Sequence, residues 1–250
     1  MKIQDEISAW LDTYLLKNKL STFIVGISGG VDSAVTSTLC AMTGKKTILI
    51  IMPIQQNPDE TSRGEKHCNW LNEKYKNVET FKMDLTNLYS EYLNVIPEKF
   101  HNSLALANTR ARIRMSSLYL VAGSSDGIVV GTGNKVEDFG VGFFTKYGDG
   151  GVDISPIADL MKSEVYSMAK DLGIIKEILD ASPTDGLWDD GRTDEQQFGA
   201  TYDELEWAMN NIGKNKINLS EREKKILLIY KEFRISNLHK MLPIPIFKKG

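Results

Sequence analysis

The chain is poor in cysteine and histidine, with two Cys and three His among its 250 residues. Cys40 and Cys68 stand far apart and neither belongs to a CxxC, which excludes a disulfide framework and a zinc knuckle. They read as two buried free thiols in a reducing compartment. Long apolar runs are also missing. The longest, Ile48–Pro53, falls far short of a membrane span. The opening MKIQDEISAW lacks the apolar core of a signal peptide. The expectation is a cytoplasmic, soluble protein without membrane contact. No charge of one sign dominates: 30 Lys+Arg face 33 Asp+Glu, a net of −3. That argues against a protein that coats nucleic acid, although a local basic pocket is compatible with it. Internal repeats, low-complexity tracts and an inter-domain linker are absent as well.

What is present fits one soluble α/β domain. Hydrophobic residues make up 42% and charged residues 25%, and a chain of this length buries enough surface to need no staples. Ile3–Leu16 carries apolar residues at helical spacing. Thr22–Ile27 is a short strand-like run followed by a Gly-rich turn, and Ser33–Met42 reads as a helix stopped at Gly44. Lys46–Met52 is almost continuously apolar, as a strand buried on both faces should be. Asp59–Tyr75 is helical, Val78–Met83 strand-like, Asn108–Ala122 helical and Gly127–Gly131 a further buried strand. Strands alternating with helices predict a doubly wound, mainly parallel sheet flanked by helices. Gly140–Gly151 has no clean period, Asp159–Leu172 is helical, and Ser182–Arg192 is a loop by composition. Two capping-box patterns, Thr201-x-x-Glu204 and Ser220-x-x-Glu223, open the last helices.

The sharpest chemical signal is Gly26-Ile27-Ser28-Gly29-Gly30-Val31-Asp32-Ser33, set between a strand and a helix. Adjacent glycines let backbone approach an anion, Ser28 and Ser33 add hydroxyls, and the helix start presents free N–H groups. Asp32 would repel a phosphate, so its presence makes sense if it holds a magnesium ion that bridges to one. The competing reading of the same turn is a strand-to-helix corner with an Asp cap. The string has neither the Lys of a Walker-type loop nor the GxGxxG of dinucleotide folds.

SGGVDS resembles the signature of the PP-loop ATP pyrophosphatases. The resemblance implies the adenine nucleotide alpha-hydrolase-like fold and ATP cleaved between its α- and β-phosphates. In that superfamily an activated adenylate is displaced by a nitrogen or sulfur nucleophile. Further pieces follow in order: Met52-Pro53-Ile54-Gln55-Gln56-Asn57, Asn108–Met115, Gly131-Thr132-Gly133-Asn134-Lys135-Val136-Glu137, and Gly142-Phe143-Phe144-Thr145-Lys146-Tyr147-Gly148-Asp149-Gly150-Gly151. Asp153, Pro156, Lys162, Ser182-Pro183-Thr184 and His239-Lys240 complete the set. Together they resemble the NAD synthetase family across nearly the whole chain. One domain over residues 1–250 is expected, with a PP-loop core at about 20–180 and a C-terminal helical part at about 193–250.

That family resemblance implies a reaction in which deamido-NAD, ATP and ammonia give NAD, AMP and pyrophosphate. It places Gly26 to Ser33, Thr132, Lys162 and Thr184 against ATP. Asp32 and Glu137 hold magnesium, and Lys162 clamps the polyphosphate. Arg112, Lys146, Asp153, His239 and Lys240 contact deamido-NAD. Asp149 captures ammonium, since a carboxylate attracts the cation and can accept a proton. On residues alone, Asp149 is equally a turn Asp between glycines and Lys162 a solvated helix Lys. Arg110, Arg112 and Arg114 alternate on a helix and cannot share one face; Arg112 matches the family pattern. Phe143, Phe144, Tyr147 and Trp188 suit either stacking or packing, and Ser182–Arg192 suits a lid. Between Glu137 and Tyr147 the chain is one residue longer than the short bacterial members, so the assignment of Lys146, Asp149 and Asp153 rests on FFTKYGDGG.

Neither cysteine has a motif His partner, and residues adjacent on a helix, such as His67 and Cys68, point apart. Free ammonia is therefore the expected nitrogen source. The resemblance also implies a homodimer whose dinucleotide site borders the interface, with no nucleic-acid partner. Competing readings are a GMP-synthetase-like core, an RNA-modifying PP-loop enzyme and a non-catalytic nucleotide sensor.

Overall fold

The alternation of apolar strands and helices is realised as a four-stranded parallel sheet. The structure is a computed structural model describing residues 2–184, 193–214 and 218–249. Strands β1 (Thr22–Ile27), β2 (Lys46–Ile51), β3 (Val78–Lys82) and β4 (Gly127–Val129) lie in the order β3-β2-β1-β4. β1 pairs with β2 in the register Thr22↔Lys46, and with β4 in the register Thr22↔Gly127. Beyond β4, Val130 bridges to Ile154.

Successive strand residues point to opposite faces, and each face has its own core. Phe23, Val25, Leu49, Ile51 and Ile128 pack with α1 (Ile3–Asn18), α2 (Val31–Met42) and α6 (Lys162–Leu172). Ile24, Ile48, Ile50 and Val129 face α5 (Ser103–Gly123) through Leu118 and Ala122. A third cluster joins α9 (Tyr202–Asn211) and α10 (Glu221–Met241) to Val136 and Val141. No helix among the described residues is long and apolar enough to cross a membrane.

Several boundaries differ from expectation. α5 starts at Ser103, well before Asn108, because Asn102 caps it by accepting from Ala105 N at 2.9 Å. α6 begins at Lys162, where the Asp159 expectation fails: Met161 is extended and its N–H donates to Glu164 Oε2 at 2.7 Å. α3 (Pro58–Lys74) follows the reading closely. The unanticipated elements are α4 (Thr86–Val95), the 3-10 turn Glu98–Phe100, the π-helical turn Lys135–Val141, α7 (Lys176–Leu179) and α8 (Asp194–Phe198). Most are too short to carry a period.

Candidate active site

A cleft opens past the C-terminal ends of β1, β2 and β4, the usual ligand edge of an open parallel sheet. Its lip is the turn between β1 and α2. Gly29 has φ +85°, and a Cβ there would sit 2.3 Å from Glu60 O, so both conformation and space demand glycine. Ser33 Oγ donates to Gly30 O at 3.0 Å, and Gly30 N donates to Ser28 Oγ at 3.2 Å. These bonds hold the turn in shape. Gly30 caps α2 without a side-chain acceptor, so the first amides of the helix remain open to an anion.

A buried ionic network lies behind the turn. Lys162, only 3% exposed, reaches Asp32 Oδ2 at 2.6 Å and Glu137 Oε1 at 2.9 Å. The two carboxylates outweigh burial and push the Lys162 ammonium above the ordinary lysine range, so it stays charged. Burial acts to raise Glu137, but Lys162 and the Tyr202 hydroxyl hold it below the usual carboxylate range. Asp32 is raised, because burial exceeds the pull of Lys162. Asn134 ties the parts together: its Nδ2 donates to Asp32 Oδ1 at 3.1 Å, and its Oδ1 accepts from Val136 N and Glu137 N. The Tyr202 hydroxyl lies 2.5 Å from Glu137 Oε1 and 3.0 Å from Asp194 Oδ2, and Lys162 Nζ sits 4.8 Å from the centre of its ring.

The cleft gathers Gly26 to Ser33, Thr132, Glu137, Asp149, Lys162 and Thr184. Asp149 lies within it, its Oδ1 accepting from Thr145 N at 2.9 Å, so the turn role and a site role coexist. Desolvation by the surrounding cleft walls raises Asp149 above the ordinary carboxylate range against that N–H bond, although the residue stays open to the cleft. Sequence reasoning missed several charged residues of the wall: Glu60, Arg63, Asp194, Arg114 and Asp138. Arg114 lines the cleft, donating to Met52 O at 2.9 Å and Gln56 Oε1 at 3.1 Å, and burial lowers its guanidinium to about 10. Only the RxRxR spacing pointed to it. Asp138 also lines the cleft, raised well above the usual range by burial and then by Asp149 and Glu137.

Other expected residues collect beside the cleft. The Arg112 guanidinium donates to Lys146 O at 3.3 Å, Lys146 Nζ to His239 O at 3.1 Å, and Lys240 Nζ to Phe144 O at 2.7 Å. Three cationic side chains, Arg112 from α5, Lys146 from the FFTKYG segment and Lys240 from α10, thus gather around this segment; His239 joins through its backbone carbonyl, while its ring Nδ1 bonds Ser236 O. Asp153 stands apart, with Oδ2 accepting from Val129 N and Oδ1 from Tyr119 OH, both at 2.8 Å; it pins the end of β4. Phe143 packs edge-on against Phe198, whereas Tyr147 is exposed. Trp188 and most of the Ser182–Arg192 loop lie outside the described residues.

The donor chemistry fits magnesium. Asp32 and Glu137 offer hard carboxylate oxygens beside an anion-binding turn, and Mg²⁺ commonly takes one or two carboxylates plus substrate phosphates. The wall itself is acidic: Asp32, Glu60, Glu137, Asp138, Asp149 and Asp194 face Arg63, Arg114 and Lys162. A polyphosphate could enter such a wall only with added cations. Among the described residues no three His, Cys, Asp or Glu converge as a protein-only metal cage.

Comparison with known proteins agrees with this geometry. The family model described as NAD synthase matches residues 3–242. The NH(3)-dependent NAD(+) synthetase of Carboxydothermus hydrogenoformans is 39% identical over 203 residues, covering 81% of this chain and 82% of that protein. The solved structure of NMN synthetase from Francisella tularensis superimposes with a TM-score of 0.89 at 30% identity, covering 99% of this chain and 98% of the other. The NH3-dependent NAD synthetase of Campylobacter jejuni, solved in complex with the nitrate ion, gives a TM-score of 0.80 at 23% identity over 98% and 97% of the two chains. With the family match spanning nearly its whole length and the SGGVDS turn, the carboxylate pair and their lysine assembled in one cleft, the chain belongs to the NAD synthase family.

Proposed function

We propose that this chain amidates deamido-NAD with ammonia, cleaving ATP to AMP and pyrophosphate. The observation that carries the reading is Lys162 seated between Asp32 and Glu137, directly behind the Ser28–Ser33 turn. The nicotinate carboxylate attacks the α-phosphorus, and ammonia then displaces AMP from the acyl adenylate. Transfer at phosphorus depends on in-line positioning and charge neutralisation. The open amides at the start of α2 hold the departing pyrophosphate, with Ser28 and Ser33 keeping the turn in shape. Lys162 supplies a fixed positive charge, with Thr132 and Thr184 alongside. Magnesium held by Asp32 and Glu137 supplies further neutralisation of the phosphate oxygens when bound. Asp149 takes the ammonium ion and accepts a proton from it. The rim of Arg112, Lys146, His239 and Lys240 suits the anionic remainder of the dinucleotide, and Asp153 supports it by pinning β4.

The protein acts as a homodimer in this reading. Leu88, Val95, Phe100 and Leu104 are exposed apolar residues along α4, the 3-10 turn and the start of α5, which suits burial against a second copy. Buried, unpaired Cys40 and Cys68 suit a reducing cytoplasm.

A second reading is favoured by one observation. The NMN synthetase of Francisella tularensis superimposes at a TM-score of 0.89, against 0.80 for the Campylobacter jejuni NAD synthetase. In that reading the same cleft amidates the mononucleotide, and the cationic rim serves a smaller anion. The test is product formation by purified protein with ATP and magnesium, offering deamido-NAD and its mononucleotide in competition. Ammonium and glutamine are supplied in separate arms. NAD with ammonium but not glutamine is expected. Preferential amidation of the mononucleotide moves the substrate to the second reading, and no amidated product with either overturns both.

A further inference from the structure

Helix α9 sends two side chains to the buried ionic network from outside the sheet. Tyr202 and Glu206 stand four residues apart on it and so share one face. Tyr202 is 6% exposed. Its hydroxyl lies nearer to Glu137 Oε1, at 2.5 Å, than to Asp194 Oδ2, at 3.0 Å. Its ring centre is 4.8 Å from the Lys162 ammonium, within the range of cation–π attraction. One side chain thus touches both the acid and the lysine that neutralises it. Glu206 acts one turn further on. Its Oε1 accepts from Ser163 N at 2.8 Å and its Oε2 from Ser163 Oγ at 2.7 Å. Ser163 follows Lys162 directly, and its amide belongs to the first turn of α6, where N–H groups have no partner within the helix.

The helix that offers these contacts is itself firmly seated. Leu205 and Ala208 are fully buried in one cluster with Val136 and Val141, which belong to the turn that carries Glu137. Thr201 caps α9 by accepting from Glu204 N at 3.2 Å, and Tyr202 N donates to Glu195 Oε1 at 2.9 Å. The Tyr202 ring packs edge-on against Phe198. A ring in that place needs no hydroxyl for packing, and burying one is costly unless it is hydrogen-bonded. Here the hydroxyl goes to carboxylates of the network. The terminal torsion of a glutamate is soft, and Tyr202 and Lys162 converge on the same Glu137 oxygen, Oε1, which fixes it.

We infer that Tyr202 and Glu206 are positioning residues, through which α9 holds the Glu137 carboxylate and the Lys162 ammonium in place for magnesium and the polyphosphate. The inference rests on the roles proposed above for Glu137 and Lys162.

Two measurements test it. Tyr202→Phe keeps the ring and removes only the hydroxyl. The manganese–ATP complex, with manganese(II) as a paramagnetic stand-in for magnesium, is titrated into the whole chain without a second substrate, and binding is read from water-proton relaxation. The Kd is expected to rise at least about tenfold in Tyr202→Phe, the usual effect of losing a hydrogen bond that orients a metal ligand. Glu137→Gln is the reference. A Kd raised in Glu137→Gln but within about twofold of wild type in Tyr202→Phe overturns this inference and leaves the metal role of Glu137 standing. A Kd unchanged in both overturns both. The second measurement is steady-state turnover of Glu206→Ala. Its kcat is expected to fall at least about fivefold, with the KM for the carboxylate substrate within about twofold, because Lys162 loses support while the other substrate's contacts keep theirs. A Glu206→Ala enzyme that melts lower yet keeps its kcat overturns the shared role and leaves Glu206 a cap of α6.

Discussion

At the scale of single residues, the site turns on which charges are matched. Lys162 neutralises two enclosed carboxylates, and removing one member of such a set leaves charge stranded. Lys162→Met is expected to lower the unfolding free energy by about 3 kcal/mol and to reduce turnover by more than about a hundredfold. Urea unfolding and steady-state rates check this, and a stable, active variant would refute the network. A quieter residue predicts the acid response. His67 is fully buried, stacked on Trp70, and hydrogen-bonded to Ser37 at 2.9 Å; burial lowers it to about 4. The unfolded chain protonates near pH 6.5, so it binds the extra proton first as pH falls. Stability contributed by neutral His67 is therefore intact above about 6.5 and drains away towards 4, by up to about 3 kcal/mol. In His67→Gln that slope should flatten in pH-dependent melts. Residue identities were readable where a motif named them: Ser28, Asp32, Glu137 and Lys162 meet as their order suggested. Arg114 and Asp138 were not, because lining a cleft depends on helix phase, and an RxRxR run or a lone Asp does not reveal it.

At the scale of elements, the SGGVDS turn and strands β1, β2 and β4 were legible because apolar runs there are short and end in a turn. The π-helical turn was not. It spans Lys135–Val141, too few residues for any period, and its shape depends on Asn134 capping Val136 and Glu137 while holding Asp32. α8 escaped for the same reason of length, whereas α4, as long as α9, carries no capping signature, its N-cap Leu85 making no side-chain bond. Asn134 is thus the joint between two elements that each bring one acid to Lys162. Asn134→Ala is expected to cost about 1–2 kcal/mol as a lost cap and to weaken magnesium-dependent turnover more than ten-fold. Thermal denaturation and a magnesium titration check both effects. A variant that melts lower but keeps full activity would reduce Asn134 to a cap alone.

At the scale of the whole molecule, alternation of strands and helices predicted a parallel sheet but not its order. The order β3-β2-β1-β4 depends on pairing between distant segments, which periodicity does not encode. It sets β1 beside β4, so the SGGVDS turn and the Gly131–Glu137 segment open into one cleft. Membership of the NAD synthase family removes the GMP-synthetase-like and RNA-modifying readings. The chemistry proposed for that cleft is the activation of a substrate carboxylate as an adenylate. Deamido-NAD labelled with ¹⁸O in its nicotinate carboxylate, turned over with ATP, magnesium and ammonium, tests it directly. Mass spectrometry of the AMP should find one ¹⁸O transferred per molecule. AMP without label, or label in phosphate or pyrophosphate, would contradict the mechanism.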